Sequence, residues 1–233
     1  MKKIAFFLLI CLFIQLNVFA QAAAKPSARS STETQTETDS DKPYYVFTDY
    51  FSDNTNNWSI KDTADMMSKI ENGVLTFGHK RNESGYYLWN WSYLDGDYDF
   101  TIETSIKHVS GVDSYGYGLT WGMEDIDNYY CFDITQNGYF RVAKHQKGEW
   151  YEYLGWTSTN HVKYYDYNKL TVKRIGNLLK FYINDSYVHE MPYQAFFGDG
   201  VGYDIWRNQT IAVDYLTVYG VEDWDLWWDL WDW

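Results

Sequence analysis

Between residues 44 and 219 apolar positions recur every second residue, and no segment sustains a period of 3.6. Ile102, Thr104, Ile106 and His108 alternate with Thr101, Glu103, Ser105 and Lys107, and Leu170 and Val172 alternate with Thr171 and Lys173. Phe181 and Ile183 alternate with Lys180 and Tyr182 in the same way. Successive side chains on a strand point to opposite faces, so each run reads as a strand with one apolar and one wet face. The pattern predicts strands over 44–51, 66–70, 74–79, 86–93, 98–109, 115–123, 129–135, 139–146, 150–156, 169–175, 178–184, 187–191, 200–206 and 211–219. Glu71-Asn72-Gly73, Gln136-Asn137-Gly138 and Gly176-Asn177 supply the positive φ that tight hairpins need. Many strands with one inward and one outward face imply two stacked antiparallel sheets, an all-β jelly-roll sandwich.

One strand departs from simple alternation. Tyr115, Tyr117, Leu119 and Trp121 share a face, and Gly116, Gly118, Thr120 and Gly122 share the other. Glycine inside a strand costs roughly 0.5–1 kcal/mol against Ala. Three on one face predict a surface kept bare, for another layer of the protein or for a flat ligand. Pairing this strand with 129–135 and 139–146 sends Leu119, Trp121, Tyr130, Phe132, Ile134, Phe140 and Val142 inward. The opposite face then carries Gly116, Gly118, Thr120, Tyr129, Asp133, Tyr139 and Arg141, a glycine floor bordered by two tyrosines and a charge pair. Pyranose rings pack an apolar C–H face on Tyr or Trp while their hydroxyls seek polar partners, so this face is a candidate sugar-binding surface. The alternative is an ordinary Asp133–Arg141 cross-strand pair on a solvated sheet. Trp150, Trp156 and Trp206 sit near predicted strand ends, where loops form a binding rim, and join the candidate set. Tyr87, Trp89, Trp91 and Tyr93 share a further face and are expected as core, opposite Leu88, Asn90 and Ser92.

The ends and the charge add context. Lys2 and Lys3 precede an apolar run to Ala20, with Val18 and Ala20 at small-residue positions before a cut, so residues 1–20 read as a secretory signal. Its removal leaves no span long enough to cross a membrane and predicts a secreted, periplasmic or cell-surface protein. Residues 21–42 lack aromatics and read as a disordered spacer, 43–220 as one folded domain, and 221–233 as an acidic tail. In that tail Trp224, Trp227, Trp228 and Trp231 fall at i, i+3, i+4 and i+7, a stripe that either caps its own sandwich or docks on a protein partner. A net charge of −13 argues against nucleic acid or anionic lipid as partners and suits neutral molecules or divalent cations. Past the signal, Cys131 stands alone and forms no internal disulfide.

Residue type and spacing bear on two further chemistries. Asp49, Asp53, Asn54 and Asn57 bring oxygen ligands into one loop and are candidates for calcium, the one cofactor the sequence offers. No catalytic set emerges: Glu124-Asp125-Ile126-Asp127 sits in a turn, and the five histidines have no metal-ligand spacing.

Phe51-Ser52-Asp53-Asn54 with Trp58, Ile70-Glu71-Asn72-Gly73, the block 115–142, Lys169-Leu170-Thr171-Val172, Phe181-Tyr182-Ile183-Asn184 and Val213-Asp214-Tyr215-Leu216 occur in this order over 44–219. Together they resemble the concanavalin A-like lectin/glucanase superfamily, and within it the laminin-G-like jelly rolls of secreted Bacteroidota proteins. The resemblance implies the sandwich fold and a role among lectins, glycosidases and interaction modules. The retaining glucanases of that superfamily carry alternating acids on one strand, about 5–5.5 Å apart across the bond they cut. The acids at 124–127 do not alternate on a strand. The expectation is therefore an exported, non-catalytic carbohydrate-binding module. Its rivals are an envelope scaffold docking through the tail, and a glycoside hydrolase.

Overall fold

The alternating runs form strands throughout the computed structural model, which describes residues 43–221. The segments read as signal, spacer and, beyond Val221, tryptophan-rich tail lie outside the described residues. The strands are β1 Pro43–Asp49, β2 Lys61–Asp62, β3 Met66–Glu71, β4 Val74–His79, β5 Gly85–Trp91, β6 Phe100–Gly111, β7 Gly116–Asp125 and β8 Asn128–Thr135. They continue as β9 Tyr139–Gln146, β10 Glu149–Ser158, β11 Asn168–Ile175, β12 Leu178–Ile183, β13 Ser186–Pro192, β14 Gly200–Trp206 and β15 Gln209–Val221. Of these, only β2 escaped the sequence pattern: two exposed residues are too few to show alternation. The hairpin signals hold, with positive φ at Asn72, Gly73, Gly138 and Gly176.

Two antiparallel sheets result. One runs β13-β12-β11-β6-β15-β4-β3-β2, with β1 pairing on β15, and the other runs β10-β9-β8-β7-β14-β5. Strand β15 is the hub of the larger sheet. It pairs with β6 along nearly its whole length, while β4 takes Gln209–Val213 and β1 takes Leu216–Val221 on its other side. The inner faces meet in one apolar core that includes Ile102, Ile106, Val172, Phe181 and Val213 from the larger sheet and Leu119, Trp121, Phe132, Ile134 and Val142 from the smaller. Ring contacts of 5.8 Å for Trp121–Phe181 and 5.3 Å for Phe132–Phe181 join the two layers. This is the jelly-roll sandwich that the alternation predicts.

The cluster on β5 faces the other way from expectation. Leu88 is the core residue, opposite Tyr203 of β14, so Tyr87 and Trp89 fall on the outer face. Trp91 and Tyr93 are 46% and 79% exposed. Register decides this: β5 is an edge strand, and the neighbour that sets its inward positions is distant in sequence.

Candidate functional site

The outer face of the six-stranded sheet is where the chemistry collects. Register places Arg141 of β9, Asp133 of β8, Gly118 of β7, Asp204 of β14 and Tyr87 of β5 in one row across five strands. A Cβ on Gly118 would lie 2.2 Å from the Phe132 carbonyl oxygen and 2.8 Å from Asp133 Oδ1. The glycine therefore lets β8 and the Asp133 carboxylate close over β7. On Gly116 a Cβ would lie 2.9 Å from Trp156 Cη2, so that glycine seats an indole. The floor expected to be bare is thus filled by the protein's own groups. Gly118, Thr120, Tyr129, Asp133 and Asp204 are fully buried.

Arg141 donates from Nε and Nη2 to Asp133 Oδ2, each at 2.7 Å. Its guanidinium carbon lies 4.5 Å from the Trp150 ring centroid, 4.8 Å from Trp156 and 5.9 Å from Trp206. A cation held against indole faces is attracted by their quadrupoles, more so where water is excluded. Trp206 donates from Nε1 to Asp204 Oδ2 at 2.9 Å and packs on Trp150 at 5.5 Å. Beside this trio Tyr129 donates to the Tyr87 hydroxyl at 3.0 Å, and His145 lies between Tyr129 and Trp150 at 5.4 and 5.1 Å. The result is an aromatic pavement laid over a buried ionic layer, and Trp150 and Trp156 remain 37% and 40% exposed. At the β5 edge the pavement runs into a groove of about 600 Å³ lined by Trp89, Trp91, Ser59 and Lys61.

Burial sets the electrostatics beneath the rings. It pushes Asp204 well above the usual carboxylate range, and the Asp133 charge adds to that against the pull of Arg141 and Trp206. Burial works to lower the pKa of Arg141, but Asp133, Cys131 and Asp204 together outweigh it and hold the guanidinium charged. The Cys131 thiol is pushed up by burial and then by Asp133, so it is a packed strand residue and not a nucleophile. Tyr87 and Tyr129 are raised by burial first and by Asp204 second.

The expected binding residues are therefore brought to one face, in two tiers. Trp150, Trp156, Trp206 and Tyr139 form the surface, while Gly116, Gly118, Thr120, Tyr129, Asp133 and Arg141 support it. Trp150 and Trp206 stand at strand ends as expected, second in β10 and last in β14, but they lie on the sheet face with Trp156, and bulges between Glu152 and Thr157 of β10 bring Trp150 and Trp156 toward Arg141. Asp133–Arg141 is not a solvated pair. Asp204 and His145 carry no assignment in the sequence pattern, and Tyr87 and Trp89, expected as core, join this outer face instead. A signal for Asp204 existed, because Gly200, Gly202, Asp204 and Trp206 repeat the glycine-on-one-face alternation of β7.

Other candidates make local hydrogen bonds. Asp49 accepts from Phe51 N at 2.7 Å, Asn56 Nδ2 at 2.8 Å and Trp58 Nε1 at 2.7 Å, and Asp53 accepts from Thr55 N at 2.8 Å. Asn54 Nδ2 donates to Trp58 O at 3.1 Å and Asn57 Nδ2 to Thr55 O at 3.2 Å. These four residues, the calcium candidates, make hydrogen bonds within their own loop, and Asp49 and Asn54 also bond Trp58. Asp125 Oδ1 accepts from Asp127 N at 2.8 Å and Asn128 Nδ2 at 2.9 Å, which makes 124–128 a hairpin turn. Among the described residues Cys131, Asp133 and Asp204 place one donor atom each within 4.8 Å of one another, but Arg141 already supplies a cation to that group.

No known family description matches the chain, and no curated relative does. Among solved structures it is similar to the carbohydrate-binding module CBM66 from Bacillus subtilis, with a TM-score of 0.54 at 17% identity over 71% of this chain and 96% of that one. The endo-β-1,3-glucanase from Pyrococcus furiosus gives 0.51 at 14% over 79% and 97%, and the Bacillus licheniformis β-glucanase 0.53 at 13% over 75% and 97%. The likeness is one of fold, the concanavalin A-like jelly roll.

Proposed function

We propose that this chain is an exported, non-catalytic carbohydrate-binding module whose ligand lies on the outer face of the six-stranded sheet. The observation that carries the proposal is the trio Trp150, Trp156 and Trp206 gathered around the Arg141 guanidinium, with rings half open to solvent. Indole faces take the C–H face of a pyranose, and holding them in place before binding lowers the ordering cost. Tyr139, Glu152 and Ser158 on the same face are exposed and offer hydrogen-bond partners to sugar hydroxyls. A carbohydrate-binding module and glucanases among the structures of this fold support a glycan as the partner. Net charge −13 favours a neutral glycan over an acidic one. Binding without cleavage is the better match to the chemistry, because Asp133 and Asp204 are buried under the rings and cannot meet a glycosidic bond.

Affinity electrophoresis of the full chain through gels containing laminarin, xylan or other neutral polysaccharides tests this. Retardation on at least one glycan is expected. Trp150→Ala and Trp156→Ala should each weaken it about tenfold or more, equivalent to ~1.4 kcal/mol, while melting close to the parent. Unchanged retardation in both variants, or none on any neutral glycan, would reject the site.

A further inference from the structure

Beneath the pavement two carboxyl groups meet with too few donors. Arg141 and Trp206 each occupy one Oδ2, of Asp133 and of Asp204 respectively. The two Oδ1 atoms are buried with no hydrogen-bond partner among the described residues, and an oxygen of each carboxyl lies within 4.8 Å of the other and of Cys131 Sγ. Two ionised carboxylates are acceptors only and repel, so in a buried site such a juxtaposition favours a hydrogen between them. One arginine balances one negative charge.

We propose that Asp133 and Asp204 hold a single proton between them, carried on Asp204, and that this proton keeps the tryptophan platform assembled. Arg141 pairs with the Asp133 carboxylate, and the protonated Asp204 donates a hydrogen bond to Asp133 while accepting from Trp206 with Oδ2. Loss of the proton puts two negative charges beside one guanidinium. Asp204 then moves away from Asp133 and takes with it the indole that packs on Trp150. The groups facing the pair are Arg141 from β9, Cys131 and Tyr129 from β8 and Tyr87 from β5, while β7 presents Gly118. Cys131 and both tyrosines stay neutral, since burial raises all three. Asp204 is thus a positioning residue, and the platform is sensitive to alkali. This rests on the binding reading above only for its consequence on glycan affinity.

The sign follows from proton counting. The folded pair keeps a proton that the unfolded chain releases above about pH 4, so raising the pH favours unfolding until the folded pair also lets go. Asparagine at 204 has the shape of the protonated acid, donates to Asp133 from Nδ2 and has nothing to lose. Unfolding of the full chain by urea from pH 5 to pH 10 compares the two proteins. The unfolding constant of the parent, relative to Asp204→Asn, should rise about tenfold per pH unit within that window, and the variant should be the more stable at alkaline pH. Equal slopes, or a variant weaker at every pH, would overturn the proposal. Infrared spectra of the parent at pH 7 give a second readout that needs no variant: a protonated carboxyl band is expected, and its absence rejects the shared proton. A melting shift on EDTA treatment or on added zinc chloride would reassign the cluster to a cation and also reject it. Glycan retardation should weaken more steeply with rising pH in the parent than in Asp204→Asn. If no glycan binds at all, the urea and infrared results still decide the proton.

Discussion

Gly118 and Arg141 show how single positions govern the site. The missing Cβ of Gly118 is a requirement of backbone approach, since the atom would meet the Phe132 carbonyl at 2.2 Å. Gly118→Ala should therefore cost about 1–3 kcal/mol or prevent folding, read by urea denaturation, because a neighbouring strand yields far less than a side chain does. Arg141 is the sole cation in contact with a buried carboxylate among the described residues and also the hub of three indoles. Arg141→Met should destabilise by about 3–5 kcal/mol, as expected when one partner of a buried pair is removed. Lysine should not rescue it, because an ammonium lacks the planar fork that bonds Asp133 while stacking on tryptophan. The glycine alternation of residues 116–122 was legible as a place of close approach. What approaches was not, because Asp133 and Trp156 come from strands whose depth of burial the alternation does not state.

At the scale of elements, β7 and β14 share one device. Each carries glycines on its outer face, Gly116 and Gly118 on β7 and Gly200 and Gly202 on β14, and each is crossed by groups from its neighbours. The two glycines of β7 nevertheless differ in what an added methyl would meet. Gly116→Ala presses on the far edge of Trp156, a half-exposed side chain able to shift. It should lower glycan retardation several-fold, with a melting change much smaller than that of Gly118→Ala; the reverse order would separate Trp156 from the ligand. Strand β10 completes the face, since its bulges set two tryptophans six residues apart over one guanidinium. Strand alternation alone would have put Trp150 and Trp156 on one face without predicting that they converge. On β5 the same alternation was correctly read as two faces, but which face is inward depended on pairing with β14, more than 100 residues away.

The sandwich is closed by the two ends of the described residues. Pro43 pairs with Val221, and Gly220 also pairs with Phe100, so the hub strand β15 finds its partners only when most of the chain is present. Such non-local pairing predicts slow refolding, in milliseconds to seconds, measurable by stopped-flow tryptophan fluorescence. A chain beginning at residue 50 would lack β1, leave Leu216–Val221 unpaired on one side and remove the Phe47–Trp58 contact at 6.3 Å. It should melt about 10 °C or more below the parent, or fail to stay soluble. An unchanged melting point would show that β1 is dispensable.

Alternation with period two, punctuated by Asn-Gly and Gly-Asn turns, determined by itself every strand but β2 and the two-layer antiparallel sandwich. These are properties of consecutive residues, so consecutive residues suffice to state them. The partners of Asp133 could be read only as far as Arg141 on the next strand. Asp204, the tryptophan roof and the shared buried layer required β14 and β10 to be placed beside β7 and β9. Which side of a sheet is wet is likewise a property of what covers it. Only the tertiary structure decided that the outer face of the smaller sheet is paved with aromatics above a buried ionic layer, because burial, and with it the charge state of an acid, belongs to no single strand.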